Sequence, residues 1–418
     1  MPSTYSVHSE RTVLISGASI AGPALAYWLH RHGFTPTIVE QAPSVRPGGH
    51  AVDIRGIARE VVQRMGIMPE VRRLSVDERG FALVDARNRI RAALPADAFG
   101  GEGIVAEIEI MRGDLAEILY RATKDFTGYL FGNRITGLVQ DDDGVGDGVD
   151  VTFADGQKRR FDLVIGADGV HSGVRALAFG PESEFVRYLG GYTAYFTVPD
   201  PGNLDNWFLM YNAAGGLCAG IRPERGGTAK ASLAFTAREP LDYDRRDVAA
   251  QRAILRRAFG GAGWMVPDML RHMDSAPDFY FDSFCQVHIG QWWRGRVALV
   301  GDAAYCGSPL SGLGTATSLV GAYALAGELA STPDDYAGAF SRYQMGIQKY
   351  VSDCQRLPPG GVKGMAPESR LMIAMRNLSM RMMTRWPVRA LAAKQFSKAD
   401  AMSLKDYPVS SEARRVPA

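Results

Sequence analysis

Short runs of Val, Leu and Ile that end in glycine turns recur along this chain. Near the N-terminus, residues 12–16 form one apolar run, residues 20–32 place apolar side chains at helical spacing, and residues 36–40 form a second run. This order predicts a strand, a helix and a strand. Residues 163–165 and 297–300 form two more apolar runs, and each leads into a turn of Gly and Asp. Both are typical of buried strands.

A second group of segments predicts an antiparallel sheet. These segments alternate with Gly, Pro and Asn turns and cover residues 192–198, 206–211, 216–221 and 230–235. Residues 79–95 read as a hairpin that adds to the same sheet. Aromatic side chains on the sheet, including Tyr195, Tyr211 and Phe235, either line a flat apolar pocket or form ordinary sheet core.

The C-terminal part has a different composition. Residues 368–396 are rich in Met and Arg and predict a helical stretch that is broken at Pro387. Its Met and Leu side chains form an apolar stripe, which we expect to pack against the rest of the protein; a lid over a large substrate or a dimer seam is the alternative. We expect the last ten residues or so to be disordered.

Charge and cysteine content favour small-molecule partners. The 418 residues include 47 Lys and Arg against 45 Asp and Glu, which leaves a net charge of +2. This balance predicts no attraction to nucleic acid or acidic membranes. The four cysteines show no metal-ligand spacing, so no metal site is predicted. With no signal peptide and no apolar segment long enough to span a bilayer, a cytoplasmic protein is expected.

The first glycine turn has the features of a nucleotide cradle. Gly17 permits a tight turn, and Gly22 lets the following helix approach the strand closely. The helix start offers free N–H groups to a pyrophosphate, and Glu40 ends the second strand where it can accept hydrogen bonds from ribose. Ser19 stands where the motif G-x-G-x-x-G has its second glycine, so this turn alone is equally typical of an ordinary strand-turn-helix.

The two later turns strengthen the cradle interpretation. Asp168 and Asp302 each follow a predicted buried strand, and ligands of α/β sheets bind at the carboxyl ends of strands. An ordinary surface turn at Asp168 and an N-cap or Asx turn at Asp302 are the alternatives. Residues 309–314 place backbone N–H groups at a helix start, which can stabilise negative charge on a reduced flavin. Together the three turns predict a site for flavin adenine dinucleotide (FAD).

With these motifs in this order, the sequence resembles the FAD-dependent aromatic hydroxylases of the para-hydroxybenzoate hydroxylase type. Within them it is most similar to the tetracycline-inactivating and antibiotic-tailoring monooxygenases, over about residues 11–330. The resemblance implies an α/β fold, α+β overall, with a Rossmann-like FAD-binding domain, an antiparallel-sheet substrate domain and a C-terminal helical segment. The expected FAD-binding domain is discontinuous, and the expected ranges are 1–78, 98–176 and 280–335 for it, 79–97 and 177–279 for the substrate domain, and 336–418 for the helical segment.

The resemblance also implies the site residues. His50 lies in the segment expected beside the flavin and is a candidate substrate contact, as are Tyr195, Tyr211 and Phe235; a structural role for His50 is the alternative. No catalytic base can be chosen from the sequence. The residues expected to bind FAD are Gly17, Ser19, Ile20, Ala21, Gly22, Glu40, Gln41, Arg46, Asp53, Arg112, Asp168, Gly301, Asp302, Pro309, Gly312, Leu313 and Gly314.

The function implied is hydroxylation of a bulky aromatic or polyketide-like molecule. NADPH or NADH would reduce FAD, O₂ would add to the flavin C4a carbon, and the hydroperoxide would transfer oxygen to the substrate. A Baeyer–Villiger or epoxidising oxygenase, and a flavoprotein that only binds and protects a reactive intermediate, are the alternatives. A monomer or weak dimer that binds neither nucleic acid nor membrane is expected.

Overall fold

The structure is a computed structural model that describes residues 11–99, 106–140, 148–383 and 402–407. The strands, numbered in chain order, are β1 (Arg11–Ser16), β2 (Phe34–Glu40), β3 (Ala51–Asp53), β4 (Gly80–Val84), β5 (Ile90–Pro95), β6 (Glu109–Met111), β7 (Gly128–Phe131), β8 (Ile135–Gln140), β9 (Val149–Phe153), β10 (Lys158–Phe161), β11 (Leu163–Gly166), β12 (Val186–Pro199), β13 (Trp207–Ala213), β14 (Leu217–Pro223), β15 (Thr228–Thr236), β16 (Tyr280–Val287), β17 (Trp293–Arg294) and β18 (Val297–Leu299).

The helices alternate with these strands. They are α1 (Ala21–Arg31), α2 (Ile57–Arg64), α3 (Met68–Leu74), α4 (Arg112–Arg121), α5 (Gly173–Ala178), α6 (Val248–Phe259), α7 (Val266–His272), α8 (Asp302–Tyr305), α9 (Gly314–Ser331), α10 (Tyr336–Cys354), α11 (Gly361–Met365) and α12 (Arg370–Met383). Among the described residues, none of the helices is long and apolar enough to cross a membrane.

The apolar runs of the sequence meet in one parallel sheet. Its order is β17-β18-β11-β1-β2-β7, and every pair is parallel except β17–β18 at one edge. The central strands are apolar on both faces because helices cover both sides, as parallel sheets require. Helix α9 packs against α1, with the rings of Trp28 and Tyr323 in edge contact. This layer brings the carboxyl ends of β1, β2, β11 and β18 to one edge, where the candidate site lies.

The second sheet contains seven strands in the order β16-β12-β15-β14-β13-β4-β5. The predicted strands and the β4–β5 hairpin are confirmed, and all pairs are antiparallel except β4–β13, which is parallel. Strand β16 starts at residue 280, where we placed the return to the FAD-binding part, yet it pairs with β12. Phe281 and Phe284 of β16 face opposite sides of this sheet and join different apolar clusters. The domain boundaries stay a prediction.

The two faces of this sheet have different surroundings. One face packs under α6 and α7 and forms a compact core with Leu255, Phe259, Val266 and Met269. The other face carries Tyr195, Ser232 and Gly220 in one row across β12, β15 and β14. Because side chains alternate along each strand, neighbouring residues of this sheet belong to different environments.

The C-terminal prediction is confirmed in part. Helix α12 covers residues 370–383 of the predicted 368–396, and the later positions, with Pro387 and the tail after residue 407, lie outside the described residues. The apolar stripe does not pack inward: Leu371, Met375 and Leu378 are exposed, whereas Met380 is buried against the β4–β5 hairpin. The helix turns a different face to the sheet: Arg376 contacts Asn212 and Met210 of β13, and Met380 packs on the β4–β5 hairpin.

Candidate cofactor and substrate site

The turn after β1 has no room for side chains at its two glycines. Gly17 has a φ of +109°, and a Cβ there would lie 2.5 Å from the carbonyl oxygen of Ala167. A Cβ on Gly22 would lie 1.9 Å from the carbonyl oxygen of Gly17. Both contacts are with backbone, which cannot rotate away. The turn therefore brings strand, helix and the neighbouring β11 turn within backbone contact, as a nucleotide cradle needs.

Glu40 anchors the same turn from the end of β2. Its Oε2 accepts a hydrogen bond from the Ala18 N–H at 2.9 Å, and its Oε1 accepts one from the Ala42 N–H at 2.8 Å. Arg46 approaches Oε1 at 3.4 Å. A carboxylate has room for further hydrogen bonds, so Glu40 can hold the turn and still accept from a ligand hydroxyl.

A cavity of about 590 Å³ opens beside this turn. Helix α1 begins at its wall, and no side chain of the described residues caps that helix start, where Ile20 is the N-cap and Ala21 the first helical residue. The free N–H groups and the positive end of the helix dipole favour an anion here. Of the predicted FAD-binding residues, the cavity is lined by Gly17, Ser19, Glu40, Gln41, Arg46, Arg112 and Asp168.

Arg112 supplies the central positive charge of the cavity. Its Nη1 donates a hydrogen bond to Ser19 Oγ at 3.0 Å, so the serine at the second-glycine position has a partner. A Cβ on Gly49 would lie 2.7 Å from Arg112 Nε. Because Gly49 has no side chain, the segment 46–50 can pack against the Arg112 side chain. Burial and the nearby Arg46 lower the pKa of Arg112. Arg46, Arg112 and the uncapped start of α1 together fit a pyrophosphate. Its negative charge would offset the repulsion between the two guanidinium groups.

Asp168 shapes the turn after β11. Its side chain accepts hydrogen bonds from the Val174 N–H at 3.1 Å and from Ser16 Oγ at 3.3 Å, and it also accepts from Ser172 Oγ. Burial raises the pKa of this carboxyl group. Because these bonds join β1 to the start of α5, Asp168 orders one wall of the cavity, and Gly169 beside it takes a positive φ of +83°.

The remaining predicted FAD-binding residues form a second cluster. A Cβ on Gly301 would lie 3.1 Å from Ala21 Cβ, and a Cβ on Gly314 would lie 3.7 Å from Asp302 Oδ1. Gly312 has a φ of +66°, and a Cβ there would lie 3.6 Å from Asp53 Oδ2. Burial raises the pKa of Asp302.

This cluster lies where β18 runs into the start of α9. Pro309 opens the short 3₁₀ turn before Gly312, and Leu313 is the N-cap of α9, whose start no described side chain caps. The structure therefore places all the predicted FAD-binding residues in two adjoining groups at one edge of the parallel sheet.

The predicted substrate contacts are only partly brought together. The imidazole of His50 stacks on the ring of Tyr195, with centroids 4.8 Å apart. Burial lowers the pKa of His50 to about 4, and the nearby Arg112, Arg222 and Lys230 act in the same direction, so the ring is neutral at neutral pH. These two residues form an aromatic wall on the sheet face opposite the one that packs under α6 and α7.

Tyr211 and Phe235 lie on the opposite face and do not reach this wall. Phe235 pairs with Tyr192, stacks on its ring and is buried under α6. Tyr211 packs beside Trp264 against the same core. Strand alternation places both on the face that packs under α6 and α7, so the structure does not bring them to the wall of His50 and Tyr195.

Comparison with known proteins agrees with this geometry. Residues 10–355 match the FAD binding domain family. The chain belongs to this family. It is 46% identical to an uncharacterized protein of Mycobacterium tuberculosis over 85% of this chain and 95% of that protein. It is 38% identical to a flavin-dependent monooxygenase of Legionella longbeachae over 82% of this chain and 87% of that protein.

A solved structure gives the same assignment. The crystal structure of the tetracycline destructase Tet(51) is 34% identical and has a TM-score of 0.80, over 96% of this chain and 100% of that one. The protein is thus an FAD-dependent monooxygenase of the aromatic hydroxylase type, with the α/β fold that the sequence predicts.

Several residues in or near this cavity were not predicted from the sequence. Asn133 and Arg134 line the cavity directly after β7, and the rule that ligands bind at strand carboxyl ends would have found them. His171 and Arg246 line it from loops, which gave no signal. Tyr280, beside Tyr195 on the neighbouring strand, was hidden at a predicted domain boundary.

A buried charge cluster was also missed. The Arg222 guanidinium lies between Glu78 at 2.8 Å and Glu109 at 2.7 Å, and all three side chains are almost fully enclosed. Burial raises the pKa of Glu78 to about 7 and that of Glu109 well above its usual value, although Arg222 opposes both shifts. The cluster joins β14 of the large sheet to β6, which pairs with the strand of Asp53. It therefore holds this face of the large sheet against the β3–β6 pair.

Proposed function

We propose that this FAD-dependent monooxygenase hydroxylates a bulky aromatic or polyketide-like small molecule, with NADPH or NADH as the electron donor and O₂ as the second substrate. The observation that carries the proposal is the aromatic wall of His50 and Tyr195, which lies next to Arg112 because the Arg112 N–H donates to the His50 carbonyl at 3.1 Å. The similarity to a tetracycline destructase, whose name states a polycyclic target, supports the size of the substrate.

We assign each part of FAD to residues already described. The helix start of α1 with Arg112 takes the pyrophosphate, and Glu40 takes ribose hydroxyls. Asp302 takes a hydroxyl of the ribityl chain, and the start of α9 faces the flavin ring. When bound, FAD supplies the redox chemistry that joins NAD(P)H oxidation to oxygen transfer.

The protein's own contribution is positioning and exclusion of water. The wall of His50 and Tyr195 offers a flat apolar surface for a planar substrate, and its neutral imidazole can exchange a hydrogen bond with a substrate hydroxyl. The cluster of Arg222 with Glu78 and Glu109 closes the neighbouring part of this face with groups that are already paired. Both features favour a substrate held flat and shielded from bulk water.

The test uses the purified protein with FAD, NADPH or NADH, and ¹⁸O₂. A panel of polycyclic phenols, including tetracycline, is compared with para-hydroxybenzoate by NAD(P)H consumption and mass spectrometry. We expect the polycyclic compounds to stimulate NAD(P)H oxidation and to gain one ¹⁸O as a hydroxyl group. One ¹⁸O in a lactone or an epoxide, identified by NMR, would favour the Baeyer–Villiger or epoxidising alternative. Binding without oxygen incorporation would favour a protective flavoprotein.

A further inference from the structure

Tyr280 combines an exposed ring with a desolvated hydroxyl. The residue is 46% exposed, although it begins β16 inside the seven-stranded sheet. Surrounding protein nevertheless raises the pKa of its hydroxyl well above the usual value, and Asp282 adds to the shift. Because its hydroxyl bonds to the buried Asp282 while its ring is exposed, Tyr280 lies in a recess with the hydroxyl at the inner end.

The orientation of this ring is fixed by a chain of hydrogen bonds. Tyr280 Oη donates to Asp282 Oδ2 at 2.9 Å, and the same oxygen lies 2.9 Å from His171 Nε2. The other ring nitrogen, His171 Nδ1, lies 2.9 Å from Glu182 Oε2. Burial alone would lower the pKa of His171, but the two carboxylates outweigh it and raise the pKa to about 9. Arg245 also contacts His171 Nδ1 and pairs with Glu182 Oε1 at 3.1 Å. Burial would raise the pKa of Asp282, but the hydrogen bonds from His171 and Tyr280 lower it, so its carboxylate accepts from both.

The recess lies between the two halves of the site. Tyr280 pairs with Tyr195 across β16 and β12, and their rings are nearly parallel with centroids 6.4 Å apart. Tyr195 in turn stacks on His50, and the Arg112 N–H donates a hydrogen bond to the His50 carbonyl at 3.1 Å. The exposed ring face therefore adjoins both the aromatic wall with His50 and the cavity with Arg112.

We propose that Tyr280 packs its exposed ring against a planar, electron-poor heteroaromatic ring, the isoalloxazine of FAD, and that the His171–Asp282 pair holds it in that orientation. A phenol whose hydroxyl donates to a carboxylate is electron-rich, and aromatic pairs are favoured when an electron-rich face meets an electron-poor ring. The inference rests on FAD binding by the family and is independent of the substrate.

The test measures flavin fluorescence of the FAD-loaded protein, because a tyrosine in contact with isoalloxazine quenches its emission by electron transfer. We expect Tyr280→Phe and Tyr280→Leu to raise emission several-fold at equal FAD content. Asp282→Asn should raise it less, because the ring remains but is no longer held. Tyr211→Phe makes the same chemical change on the opposite sheet face and should leave emission unchanged.

Three results would overturn the inference or a part of it. Emission from both Tyr280 variants equal to that of wild type and of Tyr211→Phe would remove Tyr280 from the flavin. Unchanged emission together with several-fold weaker NADP⁺ binding in Tyr280→Leu would assign the ring to nicotinamide instead. Emission of Asp282→Asn equal to wild type would refute the holding role. A wild-type protein that bound no FAD would contradict the family assignment, which is a separate failure.

Discussion

The glycine-turn side of the site and the sheet-face side achieve close packing by different means. At the glycine turns, backbone meets backbone: Gly17 lies on the Ala167 carbonyl, and Gly22 lies on Gly17. On the sheet face, long charged side chains are buried and paired, as Arg222 is with Glu78 and Glu109. The first arrangement depends on the absence of a side chain and has little dependence on pH. The second depends on charge, so its contribution to the free energy of unfolding must change with pH.

The largest effect is expected at Gly22. Overpacking a tight site costs typically about 1–3 kcal/mol, and a Cβ 1.9 Å from a backbone oxygen exceeds an ordinary case. Gly22→Val should therefore abolish FAD retention, measured as the absorbance of the released flavin per protein. Gly346→Val is the matched control, because that helical glycine has open space around it. Normal FAD content in Gly22→Val would show that this turn is not the cradle.

The next largest effect separates charge from packing on the sheet face. Removing one partner of a buried ion pair costs about 3–5 kcal/mol, so Arg222→Met should lower the free energy of unfolding by that amount at pH 8. The folded-state pKa of Glu78 and Glu109 is raised, so their protonated forms are favoured below about pH 7. Protonated carboxyl groups do not need the Arg222 charge, so Arg222→Met should lower the free energy of unfolding less at pH 6 than at pH 8.

A triple variant is the control for this prediction. Replacing Glu78 and Glu109 by Gln in the Arg222→Met background removes the unpaired charges, and we expect it to recover much of the lost stability in urea unfolding. A loss that is equal at pH 6 and pH 8, and is not recovered in the triple variant, would mean that Arg222 acts through packing alone.

The same contrast explains what the sequence could predict. Each glycine turn is a short segment that follows an apolar run, so Gly17, Gly22, Glu40 and Asp168 could be placed at strand ends from local pattern, and the three turns together predicted their joint role. The sheet face could not, because it depends on strand register. Tyr192 and Phe235 pair and share the face under α6 and α7, while Tyr195 three positions after Tyr192 faces the other way.

The charged partners on the sheet face carry no local signal. Glu78, Glu109 and Arg222 come from separate elements that only the fold brings together, and each looks like a surface residue in its own segment. Tyr280 was not predicted as a site residue because its position beside Tyr195 depends on the pairing of β16 with β12, which the sequence does not show.

A smaller effect on the glycine-turn side is expected at Asp302. Its carboxylate lies next to the start of α9, where we place the ribityl chain. Loss of one such hydrogen bond leaves a buried partner unpaired and costs about 1–3 kcal/mol, so Asp302→Ala should weaken FAD affinity accordingly in fluorescence titration. Asp302→Asn keeps the shape and one acceptor and should lose less. Equal affinity in all three proteins would place Asp302 outside the site.

The smallest effect on stability is expected from the charge of His171. Unlike the packing at the glycine turns, this contribution to stability depends on pH. The folded-state pKa of His171 is raised to about 9, so its ion pairs stabilise the protein fully below about pH 6.5, and this contribution is lost as the pH rises through 9. Partly exposed pairs are worth about 1 kcal/mol or less. The melting temperature of wild type should therefore fall more between pH 7 and pH 10 than that of His171→Gln.

His32→Gln is the control, because burial lowers the pKa of His32 and it does not titrate in this range. Parallel pH profiles for wild type and His171→Gln would show that the carboxylates beside His171 do not hold it protonated.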